Sequence, residues 1–217
     1  MSGRRARRLV LFDHHTIALT GAEPQQLQLD YYPRWLNTAR ADEILQLAEQ
    51  LDWRQDQLRM FGRTIDVPRL HCWYRTDGVN SSGVDYRWSG VQMVAAPAPS
   101  WLAQLTEQIA ALAGHPLNRC LANFYRDGRD SVDWHADDEP ELGSNPLIAS
   151  LSVGASRRFQ LRHRHTKELQ TLQLEHGSLL IMGAGVQRYW HHRVPKTAKP
   201  TSPRFNFTLR YIAPTAE

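Results

Sequence analysis

The stretch RFNFTLR, residues Arg204 to Arg210, decides the fold of this chain. Polar and apolar residues alternate along it, and successive side chains of a β-strand point to opposite faces of the sheet. Phe205, Phe207 and Leu209 therefore share one face, whereas the other face carries two polar side chains between two arginines. This order favours a strand that packs against a core on one side and lines a polar interior on the other.

Seven further short runs between residues 117 and 194 also have the character of strands. They are rich in aliphatic, aromatic and β-branched residues, and Gly and Asp turn signals separate them. Together with RFNFTLR they indicate eight short strands in an antiparallel sandwich or jelly roll. The seven runs are 117–128, 131–137, 147–155, 156–164, 169–177, 178–185 and 190–194.

Two amphipathic helices are predicted ahead of this β half. Asn37–Trp53 places apolar residues at the i, i+3, i+4 and i+7 positions of one helix face, and Ser100–Ala113 repeats that spacing. Ser100 is expected to cap the second helix and Gly114 to end it. Both helices would pack against one sheet of the β half. The predicted fold class is therefore mainly β with flanking helices (α+β).

The composition limits the classes of protein to which the chain can belong. Its 217 residues are 41% apolar, which is enough for a packed core. No apolar run reaches the roughly 18 residues of a membrane span, so we expect no membrane partner. Cys72 and Cys120 form no CxxC motif and are typical of reduced thiols in an intracellular protein. The net charge of +4 favours an anionic partner, of which nucleic acid is the commonest.

The run VDWHADDE, residues 132–139, suggests a metal site. In a strand, His135 and Asp137 would present an imidazole and a carboxylate on one face. A third ligand from a later strand, His191 or His192, would complete a 2-His-1-carboxylate triad, which suits non-heme Fe(II) and leaves positions open for an organic co-substrate and dioxygen. The alternative is a strand end with solvated acids.

The two arginines of RFNFTLR point to the organic co-substrate. If Arg204 and Arg210 are buried, they need anionic partners, because an unpaired buried charge costs several kcal/mol. Arginine binds carboxylates in a bidentate manner, so a dicarboxylic acid would satisfy both. A dicarboxylate beside Fe(II) indicates 2-oxoglutarate.

Five motifs taken together resemble the AlkB family of Fe(II)/2-oxoglutarate dioxygenases: NFY (123–125), WHADDE (134–139), HGSLLIM (176–182), WHH (190–192) and RFNFTLR (204–210). The resemblance implies a double-stranded β-helix (jelly roll) core with an N-terminal nucleotide-recognition lid. It implies that the family's W-x-H pattern selects His192 over His191, so that His135, Asp137 and His192 hold iron.

The same resemblance implies a pocket for 2-oxoglutarate. Arg204 and Arg210 would bind its two ends, so that Arg210 is expected to act on the co-substrate while iron binding stays intact. The remaining members of the pocket would be Asn123, Tyr125 and Thr208, with Asn206 as a further member of the motif.

Residues that would bind the substrate base follow from the resemblance too. Phe61 in MFGR resembles a wedge that fills the space of a flipped base, and Tyr86 and Trp88 lie in DYRWSG, which resembles a lid with a stacking aromatic. Asp138 and Glu139 would favour a cationic methylated ring. A core position for Trp88 and ordinary turn chemistry before Pro140 are the alternatives.

The resemblance therefore implies oxidative demethylation of N-alkylated bases such as 1-methyladenine and 3-methylcytosine in DNA, with release of formaldehyde and succinate. The same chemistry on RNA, a protein or a small molecule is the alternative. A non-catalytic nucleic-acid-binding protein with structural zinc is a third, but such sites usually have four protein ligands, often Cys, and the cluster has no nearby cysteine.

The expected organisation is one structural domain with three parts. Residues 1–30 form a flexible basic arm, residues 31–115 form helices and lid hairpins, and residues 116–217 form the catalytic core. We expect a monomer in the cytoplasm of a bacterial cell. The expected contacts with the nucleic-acid backbone are Lys196, Lys199, Arg157, Arg158, Arg162 and Arg164.

Overall fold

The computed structural model describes residues 13–21, 27–60, 63–76, 86–88, 91–199 and 201–213. For residues 58–60, 63, 86–88 and 91–93 it describes the course of the backbone. Within these ranges the chain forms sixteen strands and three α-helices.

The N-terminal half contains two helices and eight strands. In chain order these are β1 (His15–Leu19), β2 (Leu27–Tyr32), α1 (Thr38–Glu49), β3 (Gln57–Met60), β4 (Arg63–Asp66), β5 (Leu70–Arg75), β6 (Tyr86–Trp88), β7 (Val91–Met93), β8 (Ala96–Pro97) and α2 (Ser100–Ala113).

The C-terminal half contains the eight strands that the sequence predicted. They are β9 (Arg119–Tyr125), β10 (Val132–His135), β11 (Ile148–Gly154), β12 (Arg157–His163), β13 (Leu169–Leu174), β14 (Ser178–Met182), β15 (Trp190–Val194) and β16 (Arg204–Arg210). A 3-10 helix (Pro140–Leu142) follows β10, and the short helix α3 (Val186–Tyr189) precedes β15.

Two sheets form the core. The larger has eight strands in the order β1-β2-β14-β11-β16-β9-β5-β8, and the smaller has four in the order β10-β15-β12-β13. Apolar side chains of both sheets, such as Leu180 of the larger and Phe159 and Leu161 of the smaller, belong to one buried cluster. The predicted mainly β fold with a jelly-roll core is therefore confirmed.

The helices cover the other face of the larger sheet, as predicted. Ile44 of α1 and Leu105 and Ile109 of α2 are almost completely buried in a second cluster with residues of β9, β11 and β16. Gly114 ends α2 with a φ of 62°, in the left-handed region that glycine adopts most readily. The prediction that Ser100 caps α2 is wrong, because Pro99 occupies the cap position and Ser100 is the first helical residue.

Strand β16 lies at the centre of the larger sheet, between β11 and β9. All seven of its residues are buried. Phe205 stacks on Phe124 with ring centroids 4.4 Å apart, and Phe207 meets Trp101 edge-on at 5.6 Å, so the apolar face belongs to the helix side. The polar face points into the space between the sheets, which confirms the two-faced strand inferred from its alternation.

The expected flexible arm over residues 1–30 is wrong for the part that the structure describes. Strands β1 and β2 form a hairpin, and β2 pairs with β14, so that both extend the larger sheet. Leu27, Leu29 and Tyr31 alternate with exposed or half-buried residues, which places an apolar face on the core. Residues 1–12 and 22–26 lie outside the described residues.

Across the described parts of the chain, none of the helices is both long enough and apolar enough to traverse a lipid bilayer. Two separate two-stranded sheets, β3-β4 and β6-β7, lie in the region where the sequence predicted hairpins.

Candidate active site

Three side chains that the sequence singled out converge between the two sheets. His135 ends β10, Asp137 follows two residues later, and His192 lies on the neighbouring strand β15, where it is the direct partner of His135. One potential ligand atom from each residue lies within 4.8 Å of the other two. His191 occupies the preceding position of β15, and the alternation of the strand turns it to the opposite face.

Hydrogen bonding determines how His135 faces this cluster. Its Nδ1 lies 2.8 Å from the carbonyl oxygen of Asp133. Because a carbonyl can only accept, Nδ1 carries the proton and Nε2 keeps its lone pair. A histidine with one nitrogen anchored in this way is oriented to offer the other nitrogen to a metal ion.

Asp137 reaches the cluster in a manner that the sequence did not predict. Strand β10 ends at His135, so the HxD pair does not lie within one regular strand as expected. Instead, the backbone N–H of Asp137 donates to Oε1 of Gln187, at 3.0 Å. Gln187 belongs to α3 and is fully buried, and its hydrogen bond holds the segment after β10 against α3.

The pKa values of the three residues favour the protonation states that can bind a cation. Burial lowers the pKa of His192 to about 3, with a further contribution from His135, and burial also lowers the pKa of His135. For Asp137, burial favours the protonated form, but the positive charge of Arg210, with a smaller contribution from the neighbouring imidazoles, outweighs it and lowers the pKa. At neutral pH the cluster therefore offers two neutral imidazoles and one carboxylate, a donor set that suits Fe(II).

Arg204 lines the cavity that His135, Asp137 and His192 also line. Its side chain is 1% exposed, and its Nη2 donates to the hydroxyl of Ser152 at 2.9 Å. Its Nε and Nη1 have no hydrogen-bond partner among the described residues, and the guanidinium lies 5.0 Å from the ring centroid of Tyr125. Burial lowers the pKa of Arg204 to about 10. Such a buried cation fits an anionic ligand in the cavity.

Arg210, at the other end of β16, points at the metal-ligand cluster. Its Nη2 lies 3.5 Å from Oδ1 of Asp137, and the side chain is 1% exposed. Between the two arginines, Thr208 donates to Oδ1 of Asn206 at 3.0 Å, and the Asn206 amide donates to Ser150 at 2.8 Å. The β16 residues thus present a polar ladder with a guanidinium at each end.

All residues that the sequence assigned to the metal or to 2-oxoglutarate line this one cavity. They are Asn123, Tyr125, His135, Asp137, His192, Arg204, Asn206, Thr208 and Arg210. The residues assigned to the base are distributed differently. Phe61 lies outside the described residues, and for Tyr86 and Trp88 only the backbone of β6 is described.

The two acids that follow the cluster, Asp138 and Glu139, are not among the residues that line the cavity. Oδ2 of Asp138 lies 2.6 Å from Nη2 of Arg164, so that its charge is paired with the guanidinium of the residue that follows β12. The same Nη2 also donates to the carbonyl of Gln187 at 3.1 Å. Glu139 occupies the position before the 3-10 helix, in extended conformation, where turn chemistry was the alternative interpretation.

Two polar residues of the cavity were missed by the sequence reasoning. Arg69 is 6% exposed, lines the cavity and donates from Nε to Oδ1 of Asn123 at 2.7 Å. Ser150 lies on β11 and accepts from Asn206. Arg69 and Asn123 are 54 positions apart, and no local pattern links them.

Sequence comparison finds that this chain is similar to oxygenases that use 2-oxoglutarate and Fe(II). Residues 28–210 match the model of the 2OG-Fe(II) oxygenase superfamily. The alpha-ketoglutarate-dependent dioxygenase alkB homolog 3 of Mus musculus is 40% identical over 196 residues, which cover 84% of this chain and 65% of the mouse protein. The DNA oxidative demethylase ALKBH2 of Mus musculus is 34% identical over 189 residues, which cover 82% of this chain and 77% of that protein.

A solved structure shows that the likeness extends to the fold. The structure of OsALKBH1 superimposes with a TM-score of 0.58 at 17% identity, over 84% of this chain and 97% of that one. The chain spans 65% of the length of the mouse homolog 3 protein, so the two are similar over part of the longer one. The superfamily's description names 2-oxoglutarate and Fe(II), the pair that the cavity residues fit. With matching motifs, fold and relatives, this chain belongs to the AlkB family of 2OG-Fe(II) oxygenases.

Proposed function

We propose that this chain uses Fe(II), 2-oxoglutarate and dioxygen to demethylate N-alkylated bases in DNA, with 1-methyladenine and 3-methylcytosine as substrates and formaldehyde and succinate as products. One observation carries the proposal: a three-residue metal cluster and a buried, incompletely paired Arg204 share one cavity. The name DNA oxidative demethylase, carried by a relative 34% identical to this chain, supports DNA as the substrate.

His135, Asp137 and His192 would hold the iron. Three protein ligands would leave coordination positions of the iron open. When bound, the metal would activate dioxygen for oxidation of the methyl group. The protein's part is to keep both imidazoles neutral, to hold Asp137 ionised through Arg210, and to fix Asp137 through its hydrogen bond to Gln187.

Arg204 and Arg210 would bind the two carboxylates of 2-oxoglutarate. Arg204 lies at the end of β16 opposite to Arg210 and has donors available, so it suits the carboxylate remote from the metal. Arg210 faces Asp137 and suits the carboxylate beside the metal. Asn206 and Thr208 lie between them, with Asn123 and Tyr125 on the neighbouring strand β9 of the same sheet.

The hairpins β3-β4 and β6-β7 would form the nucleotide-recognition lid over this core, with Phe61 as the wedge and Tyr86 and Trp88 as aromatic partners of the base. A methylated base whose pairing edge is blocked is easier to unstack, which otherwise costs a few kcal/mol. Stacking on an aromatic side chain returns roughly 1–3 kcal/mol per base. Asp138 and Glu139 would favour the cationic ring.

We also propose that the protein acts as a monomer in the cytoplasm. The exposed large hydrophobic side chains of the described residues are scattered at Ile65, Val94 and Leu169, which is normal for a monomeric surface. Both described cysteines are free and buried, in keeping with a reducing compartment.

The proposal is tested by incubating the protein with methylated single-stranded and double-stranded oligonucleotides, DNA and RNA, and measuring the repaired base, succinate and formaldehyde together. We expect equal amounts of the three products from methylated DNA, with dependence on Fe(II) and 2-oxoglutarate. Turnover of methylated RNA alone would show that the substrate is RNA and not DNA. The lack of a visible charge-transfer band on anaerobic addition of Fe(II) and 2-oxoglutarate would refute the proposed iron site.

A further inference from the structure

The outer face of the smaller sheet carries a cluster of two arginines around one tryptophan, on the side of the sheet away from the cavity. Trp134 precedes His135 on β10, and Arg193 follows His192 on β15. Because neighbouring strand residues point to opposite faces, these two side chains lie outside while the histidines lie inside. Arg162 joins them from β12. We call Trp134, Arg162 and Arg193 the outer arginine cluster.

The indole holds both guanidiniums in place. The ζ carbon of Arg162 lies 4.2 Å from the centroid of the Trp134 ring, and that of Arg193 lies 4.3 Å from it. Both distances are well within the range of cation–π attraction. Nε of Arg193 also donates to Oε1 of Gln160 at 2.9 Å. Two like charges are therefore kept close together in a defined geometry.

Neither guanidinium is neutralised by a carboxylate of the described residues. Asp138, which follows the metal-ligand candidate Asp137, forms its ion pair with Arg164, at 2.6 Å, and not with either arginine of the cluster. Arg158 is exposed and shares the outward alternation of Arg162 on β12, so it adds a further positive charge. A surface that fixes like charges without a partner favours an external anion.

The geometry indicates which anion fits. A guanidinium that lies over an aromatic ring still has N–H donors at its edge, and these bind phosphate oxygens in a bidentate manner. The indole face is occupied by the guanidiniums, which disfavours stacking on a base. We propose that the outer arginine cluster is a second contact site for the phosphate backbone of the nucleic-acid substrate, outside the active-site cavity.

The second contact site rests on the proposed function and specifies the path of the substrate strand over the protein surface. Trp134 and Arg193 each adjoin a metal-ligand candidate, so the cluster lies directly across the smaller sheet from the cavity. A strand whose modified base enters the cavity must pass the edge of this sheet before its backbone reaches the cluster. Only a substrate longer than the few nucleotides at the active site can make the contact.

The test compares the double variant R162Q/R193Q with the wild-type protein on two methylated substrates, a trinucleotide and a single-stranded oligonucleotide of roughly 15 nucleotides, near the upper site size of single-strand binders. Trinucleotide turnover should be unchanged. Binding of the oligonucleotide should weaken, and the slope of log affinity against log salt should fall by about 1.4, at about 0.7 for each lost phosphate contact.

The control is R40Q, which removes one positive charge by the same Arg→Gln exchange on α1, behind the larger sheet. It should leave the salt slope as in the wild type. An unchanged slope in the double variant refutes the inference, as does an equal loss of turnover on both substrates, which would mean that the cluster supports the cavity structurally. An altered sedimentation coefficient with unchanged oligonucleotide binding would assign the face to contact between copies of the chain.

The binding measurement is repeated by fluorescence anisotropy with an unmethylated oligonucleotide, so that it does not depend on turnover. If the wild-type protein repairs neither substrate, the proposed function is wrong. If it repairs the trinucleotide and the slope is unaffected by the double variant, only the outer cluster is wrong.

Discussion

Nη2 of Arg210 lies 3.5 Å from Oδ1 of Asp137, with both side chains buried in the cavity between the sheets. One guanidinium therefore faces both a metal-ligand candidate and the cavity proposed to bind 2-oxoglutarate. From the sequence, Arg210 was expected to act on the co-substrate alone. From the contact with Asp137 we expect binding of the metal ion and binding of 2-oxoglutarate to be coupled.

Replacing Arg210 by Ala should therefore weaken binding of both the metal ion and 2-oxoglutarate. Removal of the guanidinium leaves Asp137 in a buried site without its main compensating charge, which raises the pKa of Asp137. We expect Mn²⁺ affinity to fall about tenfold or more, equivalent to about 1.4 kcal/mol. Titration calorimetry with Mn²⁺ and then 2-oxoglutarate measures both. R204A is the control, because it should weaken 2-oxoglutarate binding alone; equal Mn²⁺ affinity in R210A and the wild type would contradict the link.

The two adjacent histidines of β15 should respond differently to substitution. H192A removes a nitrogen from the cluster and should abolish tight metal binding, whereas H191A changes a side chain on the opposite face and should leave it intact. Metal content after dialysis, together with circular dichroism to verify folding, measures the difference. Loss of metal in H191A and retention in H192A would shift the assignment by one residue.

Gln187 should act as a positioning residue for Asp137. Q187A removes the acceptor of the Asp137 N–H, and loss of a group that orients a metal ligand typically costs 10–100-fold in affinity. Q187E keeps an acceptor oxygen and should restore much of the affinity. The Mn²⁺ dissociation constants of the two variants measure the effect. If Q187A and the wild type bind Mn²⁺ equally, the hydrogen bond does not position the ligand.

The metal-free protein should lose stability as the pH falls from about 7.5 to about 5. The pKa of His192 is about 3 in the folded chain and near 6.5 when unfolded, so the unfolded state binds more protons in this range. The stability is fully present above the unfolded pKa and falls below it, by about 2 kcal/mol at pH 5 through His192 alone. Urea unfolding at several pH values, in the presence of a chelator, measures this loss.

In that experiment H192Q should show a shallower dependence on pH, because it removes the titrating group. His71, whose pKa is also lowered chiefly by burial, should continue to contribute in both proteins. The same pH slope in H192Q and the wild type would exclude His192 as a cause.

Arg164 should reduce the effect of Asp138 on base selectivity. Its guanidinium pairs with the carboxylate that would otherwise attract a cationic ring. R164Q should raise the preference for cationic over neutral lesions, and D138N should lower it. Both effects should be a few-fold, since the pair is partly exposed and such pairs contribute about 1 kcal/mol or less. Competition between 3-methylcytosine and a neutral lesion in one reaction measures the ratio, and identical ratios in R164Q and the wild type would rule out the pairing effect.

Most of the scaffold could be predicted from the sequence because alternation and helical spacing are local properties. The two faces of β16 follow from the order of its own seven residues, and α2 spans Ser100–Ala113 as its apolar spacing predicted. The hairpin β1-β2 was missed, because two short alternating strands beside a basic terminus resemble an irregular arm until β14 supplies a pairing edge.

For the candidate active site, too, some features could be predicted from the sequence and others could not. The sequence by itself determined which residue types are available, namely the HxD pair, two adjacent histidines and two arginines spaced along one strand. Only the tertiary structure decided that Gln187 places Asp137 beyond the end of β10, that Arg69 holds Asn123, and that Arg164 pairs with Asp138. These contacts join residues 26 to 54 positions apart. No local periodicity encodes them, because they depend on how the two sheets and their connecting loops pack together.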